Sequence, residues 1–171
     1  MCRINVVTVF DEENFNRFIK REPLKIRDLN PEDDHLPYTK SYEELFNVLD
    51  IKDRPVIWGL SKCKVQDHKE LKYYGVDDTK LYYVVYDVSE NAYPHDYYDW
   101  SDHLWFRYAD NDHTESSKSL NFIKEYKTRN LEASHIEQVL CTYNDILSVI
   151  ETGKMDTQQH YMILIEKYMK K

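Results

Sequence analysis

Apolar and polar positions alternate along this chain between β spacing and helical spacing. Asn5 to Phe10 (NVVTVF) is a short β-type run, and Asp11 follows it where a helix N-cap would stand. Phe15, Phe18 and Ile19 then recur at helical spacing, which predicts a helix over about 12 to 21, stopped by Pro23. Residues 28 to 39, DLNPEDDHLPYT, read as an exposed acidic loop. Ser41 with Glu44 forms a capping box, and Tyr42, Leu45, Phe46 and Leu49 supply the stripe of a helix over 42 to 50. Val56, Ile57 and Trp58 make a short strand that ends near Gly59, and residues 61 to 79 fit either a loop or a short helix.

The middle of the chain carries its strongest pattern. Leu81 to Val88 is almost unbroken Tyr and Val, the composition of a central strand, and His103 to Tyr108 reads as a second strand. The segment between them, expected to be a strand-to-strand loop, mixes Tyr93, Tyr97, Tyr98 and Trp100 with His95, Asp96, Asp99, Asp102 and His103. Leu120, Phe122, Ile123 and Tyr126 then predict a helix ending around Asn130. A longer one is expected over about 135 to 152: Ser134 and Glu137 resemble a capping box, Ile136, Val139, Leu140, Tyr143, Leu147 and Ile150 keep a 3-4 rhythm, and Gly153 sits where a left-handed C-terminal residue belongs. For the last segment, Tyr161, Leu164, Ile165 and Tyr168 favour a helix, while Tyr161 to Ile165 also suits a buried strand.

These elements add up to a single α+β domain over residues 1 to 171, a small and mostly antiparallel sheet with helices packed against it. Apolar residues at 42% suffice for a core. No signal-peptide pattern or membrane-span run occurs, and Cys2, Cys63 and Cys141 form no CxxC pair, so a cytoplasmic protein with free thiols and no membrane contact is expected. Cys141 reads as a small buried hydrophobe.

Only three glycines, Gly59, Gly75 and Gly153, are present, so neither a Walker loop nor GxGxxG can be written, and GxSxG and HExxH do not occur. Asp110-Asn111-Asp112 starts like a calcium loop, but Glu115 and Asn121 occupy the positions that need Gly and Glu. That leaves an enzymatic alternative with a divalent metal, either a DxD transferase using this triplet or a PD-(D/E)xK-like nuclease using Asp53, Glu70 and Lys72, with Glu125 and Lys127 as a rival pair. Otherwise no cofactor and no metal ion are expected.

Charge points elsewhere. The net charge is −8, and Asp87 to Asp112 holds seven acids against one base, Arg107, which makes −6 for that stretch. Such a surface disfavours direct contact with a nucleic-acid backbone and favours a protein with a basic surface. The function expected from the residues is therefore that of a small acidic binding protein of the immunity-protein, antitoxin or phage-inhibitor class. Its partner-binding residues would be Tyr93, His95, Asp96, Tyr97, Tyr98, Asp99, Trp100, Asp102 and His103. Two readings fit their rings: anchors in solvent, or side chains folded back to complete the core.

Overall fold

A computed structural model describes residues 4–25, 38–51, 57–62, 81–129, 137–155 and 163–169. Six strands form one antiparallel sheet: β1 (Ile4–Asp11), β2 (Ile57–Lys62), β3 (Leu81–Val88), β4 (Tyr93–Asp96), β5 (Glu137–Cys141) and β6 (Ile146–Met155), in the order β4-β5-β2-β1-β3-β6. The helices are α1 (Glu12–Ile19), α2 (Tyr38–Val48), α3 (Tyr97–Leu104) and α4 (His113–Arg129). Two π-helical stretches, Trp105–Ala109 and Ile165–Met169, and a 3-10 turn, Tyr143–Asp145, complete the helical elements described, with Ile163 and Leu164 already helical before the second π stretch. The α+β class expected from the sequence is thus what the chain adopts.

The connections force the sheet to curl. Three strands lie between β3 and β4 in the sheet, and three between β5 and β6, yet residues 89–92 join the first pair and 142–145 the second. Strands four places apart in a flat sheet stand about 19 Å from one another, and four residues fully extended span only about 14 Å. The two crossings are stitched together where Ser89 N donates to Asp145 O at 2.9 Å. On the inner face, Tyr86 of β3 is buried, with its hydroxyl 2.9 Å from Thr8 Oγ1 of β1 and within reach of the Cys141 thiol on β5.

That inner face carries Val6, Phe10, Ile57, Val84, Val88 and Val139, and α1 closes it by setting Phe18 against Phe10, Tyr86 and Tyr143. Asp11 caps α1 as its position implied, accepting from Asn14 N at 2.7 Å. On the opposite face, Leu164 and Ile165 pack on Val7, Leu60, Tyr83 and Val85. Leu45, Phe46 and Ile51 meet Trp100, Ile123 and Leu140 in a further cluster there. With so few glycines, helix ends use other residues in the left-handed region: Arg21 and Asp50 follow α1 and α2 at φ 56° and 55°. In each case the next amide donates back into the helix, Glu22 N to Arg17 O and Ile51 N to Phe46 O.

Several expectations are corrected. Helix α2 begins at Tyr38, ahead of the expected 42, and β2 runs on through Gly59 to Lys62. His103 to Tyr108 is not a strand: it continues α3 into the π-helical turn. The expected helix over 135 to 152 is β5, a short 3-10 turn at Tyr143–Asp145 and β6. Gly153 is no helix terminus. It lies within β6 opposite Tyr83, where an added Cβ would stand 2.8 Å from the phenol oxygen. For the last segment the helical alternative holds over 163–169. The acidic 28 to 39 loop lies outside the described residues up to Tyr38, as do residues 63 to 79.

Candidate functional site

The segment expected to be a loop is instead a short edge strand followed by a capped helix. Asp96 ends β4 and caps α3, its carboxylate accepting from Tyr98 N at 2.7 Å and Asp99 N at 3.2 Å. The helix that follows turns Trp100, His103 and Leu104 inward at i, i+3 and i+4. Trp100 is 4% exposed and stacks on His103 with ring centres 5.5 Å apart.

His103 is the centre of a polar network that joins four elements. Its Nδ1 donates to the Ser116 carbonyl of α4 at 3.2 Å, because a carbonyl can only accept. Oε2 of Glu44, on α2, stands 3.0 Å from Nε2 but off the line of a hydrogen bond. Oε1 of the same carboxylate is 3.2 Å from Arg107 Nη2, and Arg107 Nη1 is 3.5 Å from His113 Nε2. Burial pulls the His103 pKa below its ordinary value, against the Ser116 and Glu44 contacts that raise it. The ring is therefore neutral at pH 7, with its proton on Nδ1. The π winding, which repeats at i+5, brings Tyr108 edge-on to His103 at 6.3 Å.

The other expected site residues fall at different depths. His95 is fully buried, with Nε2 3.2 Å from Gln138 Oε1, its cross-strand neighbour on β5, and burial pulls its pKa down to about 4. Tyr93 packs beside Leu140 and Trp100, and Tyr97 packs against the cluster of Val85 and Tyr83. Tyr98 and Asp99 are half-buried, and Asp102 is exposed. The Asp102 carboxyl is raised above its ordinary range by partial burial and by the nearby Asp96. Of the nine, His95, Trp100 and His103 thus belong to the interior.

Sequence reasoning missed Trp105, counted Arg107 only as the one base of the acidic stretch, and gave Glu44 only a capping role. Trp105 is 61% exposed on the π turn. The strand reading of 103 to 108 hid it; the helical spacing Trp100, His103, Leu104 behind an Asp96 cap was the signal that could have found it.

The metal alternatives gain no geometry. Asp112 caps α4, its Oδ1 accepting from Thr114 N and Glu115 N at 3.1 Å each, and Asp110 is exposed beside the left-handed Asn111. Among the described residues, no three His, Cys, Asp or Glu side chains converge as a metal centre would require. Asp53, Glu70 and Lys72 lie outside those residues, as do Cys2 and Cys63. Cys141 is buried, and burial pushes its thiol up to about 12, so it is no nucleophile. No described helix is long and apolar enough to cross a membrane. No protein family, curated protein or solved structure matches the chain.

Proposed function

We propose that this chain is a non-catalytic protein-binding module, of the kind represented by immunity proteins, antitoxins and phage inhibitors, that engages a basic surface through the outer side of α3 and the π turn after it. The observation that carries this reading is Trp105, 61% exposed in a helical stretch and three residues beyond the exposed Asp102. Tyr98, Asp102 and Trp105 follow at i, i+4 and i+7, which aligns them along one side of the helix. A large ring left in water and flanked by charge has the composition of a binding hot spot.

Charge supports the same side. The one base between Asp87 and Asp112, Arg107, is engaged by Glu44, so this segment presents a negative field that attracts cations and speeds their encounter. The Asp102 carboxyl is raised first by partial burial and then by the nearby Asp96, and a cation beside it would act in the opposite direction.

The test is affinity capture from the native host, followed by binding measurements on the partner obtained. Trp105→Ser combined with Asp99→Asn and Asp102→Asn should keep the melting temperature and weaken binding at least about 30-fold, at about 2 kcal/mol or more for a buried aromatic anchor. The two Asn changes alone should mainly slow association and flatten its salt dependence. Undiminished binding by the triple variant would move the interface off this surface.

A further inference from the structure

The segment that carries Tyr98, Asp102 and Trp105 is anchored differently from the rest of the fold. From Tyr93 to Tyr108 its buried side chains are His95, Trp100 and His103, so two of its three anchors can take up a proton. Elsewhere the helical elements are seated by apolar side chains, Phe18 under α1, Leu45 and Phe46 under α2, Leu164 and Ile165 under the C-terminal stretch. A histidine buried where a leucine could seat the chain makes that seat sensitive to acid.

Each histidine lies on a seam. His95 belongs to β4, a four-residue strand at the end of the sheet, and its ring meets Gln138 Oε1 of β5 at 3.2 Å and the Tyr93 carbonyl at 3.5 Å. No charged group of β5 or α4 among the described residues compensates a charge there. His103 lies between α4 and α2, facing the Ser116 carbonyl and the Glu44 carboxylate, with Trp100 stacked on it and Tyr108 edge-on. Arg107 of the π turn already takes that carboxylate, so a proton on Nε2 would leave two cations sharing one anion. Burial disfavours the charged form of both rings, and a conformation that brings them to water relieves it.

The segment can leave without dismantling the sheet. β4 is laddered to β5 alone, and β5 keeps β2 on its other side. Residues 89–92 join the segment to β3 at one end, and Asn111, left-handed at φ 53°, parts it from α4 at the other. β1 and β3 bury Val6, Val7, Val84 and Val85, and neither strand contains a histidine.

We propose that Tyr93–Ala109 is an acid-released segment: protonation of His95 and His103 unseats it from β5, α4 and α2 while β1 and β3 stay folded. A partner held on its outer side would then be let go in mildly acid surroundings. That consequence rests on the function proposed above; the release itself does not.

Hydrogen exchange of the whole chain, with no partner present, tests the release. Corrected for the intrinsic pH dependence of exchange, protection of amides in Tyr93–Ala109 should fall at least about tenfold from pH 7 to pH 5, because the open segment takes up protons that the seated one refuses. At pH 5 the same amides should be at least about tenfold less protected than those of β1 and β3. His95→Gln should weaken the pH dependence, and adding His103→Gln should abolish it. Should the double variant not fold, the wild type and His95→Gln decide. Protection that is equal at pH 7 and pH 5, or that matches β1 and β3 at pH 5, overturns the proposal, as does a pH dependence undiminished by His95→Gln. These readouts hold whether or not Trp105→Ser loses a partner, so failure of the binding reading and failure of the release are told apart.

Discussion

Oε2 of Glu44 on α2 lies 3.0 Å from Nε2 of His103 on α3, while Arg107, on the turn that continues α3, holds the other oxygen of the same carboxylate at 3.2 Å. One side chain thereby fastens α2 to the helical segment beside it. Glu44→Ala should lower stability by about 1.5–3 kcal/mol, the range for a hydrogen bond to a charged group. Urea unfolding would show this as a lower midpoint at unchanged slope, and amide exchange should quicken most within Tyr38–Val48. Glu44→Gln should cost less, because its amide can donate to the Nε2 lone pair. Equal losses for the two variants would mean that the Gln amide does not reach Nε2.

How much of this was legible in the sequence depended on how many faces of an element are buried. β3 and α1 were readable, the first because Val84, Val85 and Tyr86 are buried on both sides of the sheet, the second because Asp11 caps a helix with its apolar residues on one side. β5 and β6 mimicked a helix for a definable reason. Val139 and Leu140 are adjacent yet both buried, on opposite faces, which erases strand alternation. Leu147 and Ile150 sit where the register of β6 shifts, and each shift resets the period of two, so three-residue spacings arise without a helix. In the candidate site, the acids were found but the depth of the rings was not. Whether Trp100 or Trp105 faces water depends on winding, and the alternation in His103 to Tyr108 suggested a pleat where the chain makes a π turn.

His95 gives the fold a defined response to acid. Burial lowers its pKa from the ordinary 6.5 to about 4, so between these values the unfolded chain binds a proton that the folded chain refuses. Stability is therefore full above pH 6.5 and falls as pH drops toward 4, by about 3 kcal/mol across the window. His103, shifted in the same direction, adds to the loss. Denaturation midpoints at pH 7, 5.5 and 4.5 should fall more steeply for the wild type than for His95→Gln, which keeps a polar partner for Gln138 but does not titrate. Parallel slopes for the two proteins would show that the ring is not buried in its neutral form.

Gly59 marks the tightest point of the inner face. A Cβ there would stand 2.3 Å from Thr8 Oγ1, 2.6 Å from Val6 Cγ1 and 2.7 Å from the Val7 carbonyl oxygen, and backbone cannot step aside as a flexible side chain can. Gly59→Ala should destabilise by about 1–3 kcal/mol, the usual range for overpacking a core. The nearest of these atoms is Thr8 Oγ1, so the added cost of Gly59→Ala should be smaller in a Thr8→Ala background, which lacks that oxygen and its contact with Tyr86, than in the wild type. A Gly59→Ala protein as stable as the wild type would place β1 and β2 farther apart than the register Val7 to Leu60 implies.

The two tryptophans of the α3 segment should separate fold from function. Trp100 is stacked on His103 and packed among Leu45, Phe46, Ile123 and Leu140. Trp100→Ser removes that contact area and leaves a cavity, at about 3–5 kcal/mol for truncating a buried aromatic. Set against a total stability of about 5–15 kcal/mol for a domain, that is enough to unfold much of the protein at 37 °C. Trp105, 61% exposed, makes no such contribution, and Trp105→Ser should change stability by less than about 0.5 kcal/mol. Thermal melts of the two variants decide between helix and strand here. In a strand over His103 to Tyr108, Trp105 would share a face with His103 and lie inside, so a destabilised Trp105→Ser protein beside a stable Trp100→Ser protein would reverse the assignment. With the predicted order, Trp105→Ser is the change that removes a partner-binding ring while leaving the fold to be measured against.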